Sequence, residues 1–276
     1  MAVATDTLER IVHAALAEDI GAGDVTTEAT VPADAIGTAA LLVKEPGVVC
    51  GLRAVEVTFR ALDPEIAFEA FAEDGDAVEA PAVVARVSGS QRAILTGERV
   101  ALNFLGRLSG IATLTRQYVD AVSGTNAAVL DTRKTTPGLR ALEKHAVAAG
   151  GGRNHRFGLD DAVLIKDNHL RAAGSIGAAV ELVRRASDLP VEVECDTREQ
   201  VGEALEAGVD AILLDNMTLT ELRQAVELVD GRARLEASGG VTLETIRAVA
   251  ETGVDEISVG ALTHSARSLD VSLELT

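Results

Sequence analysis

From residue 127 onward the chain alternates short apolar runs with amphipathic stretches. The apolar runs fall at 127–130, 162–165, 191–193, 211–214, 235–237 and 256–259. Between them, apolar positions recur at helical spacing over 139–149, 175–187, 197–207, 218–229 and 242–252. Thr197 with Gln200, and Thr218 with Glu221, have the spacing of capping boxes. Gly208 and Gly253 stand where a helix C-terminus favours a left-handed residue. Buried strands alternating with helices predict a parallel sheet, either a closed barrel or an open doubly wound sheet.

The first part of the chain has a different texture. Its first 20 residues predict an acidic amphipathic helix, without the basic start and apolar middle of a signal peptide. Strands are predicted at 38–44 and 48–50 around a Glu45-Pro46-Gly47 turn, and at 66–72 and 82–88. Asp74-Gly75-Asp76 marks another turn. Residues 53–62 predict a helix, and two more are predicted at 92–105 and 111–123. The expected organisation is an α+β domain over 1–107, joined by 267–276, and an α/β domain over 108–266.

The ends of the six predicted parallel strands carry the chemistry. In order they deliver Asp131-Thr132-Arg133-Lys134, Lys166-Asp167-Asn168-His169, Glu194-Cys195-Asp196, Asp215-Asn216, Ser238-Gly239-Gly240 and Gly260-Ala261. Ligand sites of parallel α/β folds lie at the carboxyl ends of the strands. One polar strand end is unremarkable, because every strand must leave the core. Six of this character point to a binding mouth.

Charge narrows the ligand. The chain has a formal net charge of −18, yet three of its four lysines, Lys134, Lys144 and Lys166, lie between 134 and 166. Arg133, Arg140, His145, Arg153, His155, Arg156 and His169 crowd the same stretch. Such groups give charge-assisted hydrogen bonds to anions, so a small, multiply charged anion is expected. The overall acidity argues against nucleic-acid backbones. With aromatic residues at 2%, stacking platforms for single strands are lacking as well. No apolar run approaches the roughly 20 residues that span a bilayer. Two distant cysteines, Cys50 and Cys195, suggest a reduced cytoplasmic setting. Acid-rich, lysine-poor composition also suits a salty cytoplasm.

Glu194 and Asp215 end apolar runs, where an unpaired carboxylate is costly. They suit Mg²⁺ held directly or through water. The alternative is an ion pair with Lys166 or Lys134. Ser238-Gly239-Gly240 and Gly260-Ala261-Leu262 follow the last two strands and suit a phosphate, because glycine lets backbone N–H groups approach closely. Cys195 should point away from Glu194 and act as a small buried hydrophobe.

The segments EDIGAGDVTTE (18–28), VKEPGVVCG (43–51), GERVALNFLGRLSGIAT (97–113), TRKTTPGLRALEKHAVAAGGGRNHR (132–156), IKDNH (165–169), VEVE (191–194), ILLDNM (212–217), EASGGV (236–241) and TGVDEISVGALTHS (252–265) closely resemble the quinolinate phosphoribosyltransferase family. The resemblance implies an incomplete (β/α) barrel of six strands with an N-terminal α+β sandwich domain. It implies union of quinolinate with phosphoribosyl pyrophosphate to give nicotinate mononucleotide, pyrophosphate and CO₂. It further implies a homodimer, with assembly beyond the dimer left open. In that dimer Arg99 of one subunit, with Arg133, His155 and Arg156 of the other, grips the quinolinate carboxylates. Lys134, Lys166, Glu194 and Asp215 would attend the ribose, pyrophosphate and Mg²⁺. Ser238, Gly239, Gly240, Gly260, Ala261 and Leu262 would cradle the 5′-phosphate. Thr132 completes the first strand end. The competing readings are a paralogous transferase for another aromatic acid, a sugar-phosphate isomerase or condensing enzyme, and an anion-binding regulator.

Overall fold

A computed structural model describes residues 3–276; Met1 and Ala2, part of the predicted first helix, lie outside the described residues. The elements in chain order are α1 (Thr5–Ile20), α2 (Val25–Thr30), β1 (Ile36–Val43), β2 (Gly47–Val48), α3 (Leu52–Leu62), β3 (Ala67–Ala70), β4 (Ala77–Val78), β5 (Ala82–Ser90) and α4 (Gln91–Ala121). They continue with β6 (Ala128–Leu130), α5 (Arg140–Ala149), β7 (Val163–Ile165), α6 (Asp167–Ala173), α7 (Ile176–Ala186), β8 (Val191–Cys195), α8 (Arg198–Glu206) and β9 (Ala211–Asp215). The chain finishes with α9 (Leu219–Val229), β10 (Arg234–Ser238), α10 (Ile246–Ala250), β11 (Glu256–Ser258), α11 (Ala261–His264) and β12 (Val271–Leu275).

Two compact units result. The first comprises residues up to Arg116, Thr135–Gly151 and Ala261–Thr276; the second comprises Gln117–Lys134 and Gly152–Gly260. In the first unit an antiparallel sheet runs in the order β12-β1-β5-β3. Its alternating apolar side chains pack with Val55 and Phe59 of α3 and with Ile94, Ala101 and Leu105 of α4 in one aliphatic core. The C-terminal strand β12 pairs along β1, from Ala39 opposite Leu275 to Val43 opposite Val271.

The two helices predicted at 92–105 and 111–123 are one continuous helix, α4. Gly106 and Gly110, between the two predicted spans, have a packing use. A Cβ on Gly110 would lie 2.0 Å from Arg267 O, and one on Gly106 would lie 2.9 Å from Leu269 O. The C-terminal segment thus crosses α4 at backbone contact distance, which only glycine permits.

The second unit holds six parallel strands in the order β6-β11-β10-β9-β8-β7. This is an open six-stranded α/β sheet, in keeping with the predicted incomplete barrel. The capping boxes at Thr197/Gln200 and Thr218/Glu221 are formed. Gly208 and Gly253 take positive φ. The predicted helix over 242–252 starts late: Thr242 pairs with Thr245 in a turn, and α10 covers only Ile246–Ala250. Three short helices escaped the periodicity: α2, α6 directly after β7, and α11 directly after Gly260.

Candidate active site at the strand ends

The parallel register defines one face of the sheet in the second unit. Glu192 lies beside Ala211, Glu194 beside Leu213, Glu236 beside Leu213 and Ser238 beside Asp215. Side chains two residues apart share a face, so Glu192 and Glu194, like Glu236 and Ser238, stand in file. Cys195 projects oppositely and is buried. Burial pushes its thiol up to about 12, so it is a poor nucleophile at neutral pH.

At the end of β6, Asp131 is fully buried. Its Oδ1 accepts His155 N–H at 2.9 Å, and its Oδ2 accepts from Asn154 Nδ2 at 2.6 Å. Arg153 N donates to Val129 O at 2.8 Å, and Asp131 N donates to Arg153 O at 3.1 Å. The segment after the glycine triplet is therefore laid along β6 like a short extra strand. Thr132 Oγ1 accepts Lys134 N–H at 3.0 Å, shaping the turn that carries Arg133 and Lys134.

His155 Nε2 lies 3.2 Å from Glu192 Oε2 and 3.3 Å from Glu236 Oε2. Nδ1 accepts Arg156 N–H at 2.7 Å. Burial pulls this imidazole down, but hydrogen bonds and charge from the two glutamates outweigh it and raise it to about 10. A second ring proton would be strongly held wherever the Arg156 N–H turned away from Nδ1. Beside it, Arg156 is half-buried and donates from Nη1 to Ala162 O at 3.2 Å. Burial, and then the positive charge of Arg133, lower Arg156 from its ordinary value. Two guanidinium groups are thus held close enough to repel.

At the end of β7, Lys166 Nζ makes an ion pair with Glu194 Oε2; the lysine side chain is 45% exposed and the carboxylate 14%. Lys166 N donates to His169 Nδ1 at 2.9 Å, so His169 caps α6. Asp215 Oδ2 accepts from Asn216 Nδ2 at 2.6 Å. Asn216 has φ of 55° and donates its N–H to Ser238 O at 2.8 Å. A Cβ on Gly239, at φ of 98°, would lie 2.2 Å from Asn216 Oδ1. The glycine pair is therefore required by its backbone conformation and by Asn216 together.

Thr132, Arg133, Lys134, His155, Arg156, Lys166, Glu194, Asp215, Ser238, Gly239, Gly240 and Gly260 all belong to the second unit. Arg99, Ala261 and Leu262 belong to the first unit. Arg99 is exposed on α4 and lines a cavity of about 840 Å³ with Arg10, Arg107, Thr136 and Leu142. The cationic stretch also divides. Arg140, Lys144 and His145 lie on α5 in the first unit, where His145 Nε2 is 2.8 Å from Asp74 Oδ2.

Sequence reasoning put Asp131 and Asn216 at the strand ends without giving either a role, and missed Glu192 and Glu236 as parts of this construction. Glu192 was legible: in VEVE the two carboxylates alternate with valine, the signature of one strand face. Glu236 lay hidden in an apolar run.

Two triads of metal-ligating types occur among the described residues, Cys50–Asp74–His145 and His155–Glu192–Glu236. In the second, Nδ1 accepts the Arg156 N–H, so a ring hydrogen sits on Nε2, facing the glutamates. That nitrogen is a donor rather than a ligand. Glu194 and Asp215 offer a sparse, all-oxygen pair, which fits Mg²⁺, a hard ion that keeps most of its waters.

The sequence model of the quinolinate phosphoribosyl transferase C-terminal domain matches residues 111–274, and that of the N-terminal domain matches residues 24–109. The chain is 46% identical to nicotinate-nucleotide pyrophosphorylase (carboxylating) of Mycobacterium leprae, over 99% of this chain and 97% of the relative. It is 48% identical to a probable enzyme of the same name from Synechocystis, over 94% and 90%. The crystal structure of NadC from Streptococcus pyogenes superposes with a TM-score of 0.96 at 42% identity, covering 100% of this chain and 99% of that one.

Proposed function

This chain belongs to the quinolinate phosphoribosyltransferase family, and from that premise we propose how its residues divide the work. The activity is that of a carboxylating nicotinate-nucleotide diphosphorylase in NAD biosynthesis. Quinolinate and phosphoribosyl pyrophosphate become nicotinate mononucleotide, pyrophosphate and CO₂.

The observation that carries the assignment is the cationic set of the second unit, Arg133, Lys134, Arg156 and Lys166, in which burial and then the charge of Arg133 lower Arg156. Like charges held together at a half-buried site favour a ligand with more than one negative charge, and guanidinium forks match carboxylates. Arg133 and Arg156 therefore take the two quinolinate carboxylates. Lys134 follows β6 and Lys166 follows β7; in this proposal both face the pyrophosphate. Glu194 orients Lys166. Gly239, Gly240 and Gly260, with Ser238, Ala261 and Leu262, receive the 5′-phosphate on backbone N–H groups. Thr132 sets the turn that aims Arg133 and Lys134.

Pyrophosphate leaves C1 of the ribose as the pyridine nitrogen attacks, and lysine ammonium groups stabilise the departing charge. The new pyridinium accepts the electrons left at C2 when CO₂ departs, and C2 then takes a proton. No side-chain nucleophile is needed, in line with the raised Cys195 thiol. Glu194 and Asp215 would hold Mg²⁺, directly or through water, and it would supply further neutralisation of pyrophosphate charge.

The functional enzyme is a cytoplasmic homodimer in this proposal. The family resemblance supports Arg99 of one subunit serving the mouth of the other, as does its exposed place on α4. No helix of the described residues is long and apolar enough to cross a membrane. Quinolinate-dependent pyrophosphate release, measured with and without Mg²⁺, tests the whole assignment. Release that needs both substrates and falls on chelation is expected; release indifferent to quinolinate would refute it.

A further inference from the structure

Both ring nitrogens of His155 are engaged by the protein. Nε2 faces Glu192 Oε2 and Glu236 Oε2 at 3.2 and 3.3 Å, and Nδ1 accepts the Arg156 N–H at 2.7 Å. The carboxylate side chains are 9% and 1% exposed. Burying two carboxylates around one imidazole is costly. Packing alone would not ask for it, since Leu213 of β9 fills the position in register with Glu236. Their remaining oxygens, Glu192 Oε1 and Glu236 Oε1, have no protein partner among the described residues. Both residues line a cavity of about 180 Å³ with His155 and Arg156. The pair is thus spent on holding the imidazole, at the expense of its own satisfaction. The imidazole in turn holds the backbone of the next residue, Arg156. The same segment is gripped from the other side by Asp131, through His155 N and Asn154 Nδ2.

We infer that Glu192 and Glu236 are positioning residues for quinolinate binding. They fix the His155 ring, the ring fixes the Arg156 backbone, and the Arg156 guanidinium is thereby held ready for a substrate carboxylate. His155 then serves the site by placing Arg156 and gives neither ring nitrogen to the substrate, which departs from the gripping role that family resemblance implies. The inference rests on the assignment of Arg156 to quinolinate made above.

Steady-state kinetics with each substrate varied separately test it. Glu236→Gln and Glu192→Gln should raise the KM for quinolinate about tenfold and leave that for phosphoribosyl pyrophosphate within about twofold, as expected for coupled neighbours acting on one ligand. Glu236→Asp keeps the charge but withdraws it from Nε2, and should fall between wild type and Glu236→Gln. A folded glutamate variant with an unchanged quinolinate KM overturns the inference. A double-mutant cycle stands even where those variants fail to fold. In an Arg156→Ala background, adding His155→Asn should change the quinolinate KM little, because the group it places is already gone. If the two losses instead multiply, His155 touches the substrate itself and the inference is wrong. Wild-type enzyme that released no CO₂ from quinolinate would bring down the functional assignment rather than the positioning role, so the two failures are distinguishable.

Discussion

Glu143 and Glu194 are both carboxylates beside a cation, and the protein treats them in opposite ways. Glu143, on α5 in the first unit, has a fully buried side chain. Its Oε1 takes Arg107 Nε at 3.2 Å, Arg107 Nη2 at 2.8 Å and Thr136 Oγ1 at 2.8 Å, while Oε2 takes Thr136 N at 2.9 Å. Arg107 also donates to Ala266 O and Thr263 O. Both carboxylate oxygens are taken, and the knot ties three separate stretches of chain. Glu194, at the end of β8 in the second unit, has Lys166 as its partner among the described residues, and that lysine is nearly half exposed. A saturated ion pair is a fastening. A half-open pair at a strand end keeps oxygen and ammonium capacity for a ligand.

The comparison is sharpened most by cutting the fastening. Glu143→Ala leaves the Arg107 charge without its carboxylate, and breaking such a buried pair costs about 3–5 kcal/mol. Chemical denaturation should show a loss of that size; a loss under about 1 kcal/mol, the value of an exposed pair, would break the contrast. Next come the anion-binding cations. Arg133→Ala and Arg156→Ala should each weaken quinolinate binding by about 2–5 kcal/mol, and weaken phosphoribosyl pyrophosphate binding much less. Calorimetry with each substrate decides, and equal losses for both would contradict the division of labour. Mixing inactive Arg99→Ala subunits with inactive Lys166→Ala subunits should restore part of the activity, since some hybrid dimers carry one intact site. No recovery despite proven subunit exchange would count against a shared mouth.

The smallest effect concerns the surface. With a net charge of −18, lowering the salt from 1 M to 0.1 M lengthens the Debye length from roughly 3 Å to about 10 Å and unmasks repulsion. The melting temperature should fall on dialysis into low salt and recover with KCl. Bound substrates should offset part of the fall by stabilising the native state. A midpoint independent of KCl would remove the salt-adaptation reading alone.

Sequence reasoning located the six parallel strands because each is a short apolar run bounded by polar residues, a pattern that survives without tertiary information. It placed the polar residues at the strand ends for the same reason. It split α4 between 105 and 111, where Gly106 and Gly110 stand; the crossing segment near Arg267 that uses these glycines is a non-local contact. Arg140, Lys144 and His145 joined the cationic cluster by proximity in sequence, whereas α5 carries them into the other unit. Thr136 lies within the TRKTTPG motif, yet its work is to satisfy Glu143. The His155 network was the least legible part. Residues 155, 192 and 236 come from three separate elements, and only the register of β8, β9 and β10 brings the two carboxylates around one ring.

One variant sets the two carboxylate sites directly against each other. Lys166→Ala removes the half-open pair at the proposed mouth. Paired measurements of its thermal melt and of CO₂ release from carboxyl-labelled quinolinate give the answer. The account predicts a stability change within about 1 kcal/mol, as for an exposed ion pair. Turnover should fall on the order of 10²–10³-fold, as when a preorganised electrostatic group is lost. Wild-type turnover in a well-folded Lys166→Ala protein, or a loss of activity that merely tracks unfolding, would contradict it.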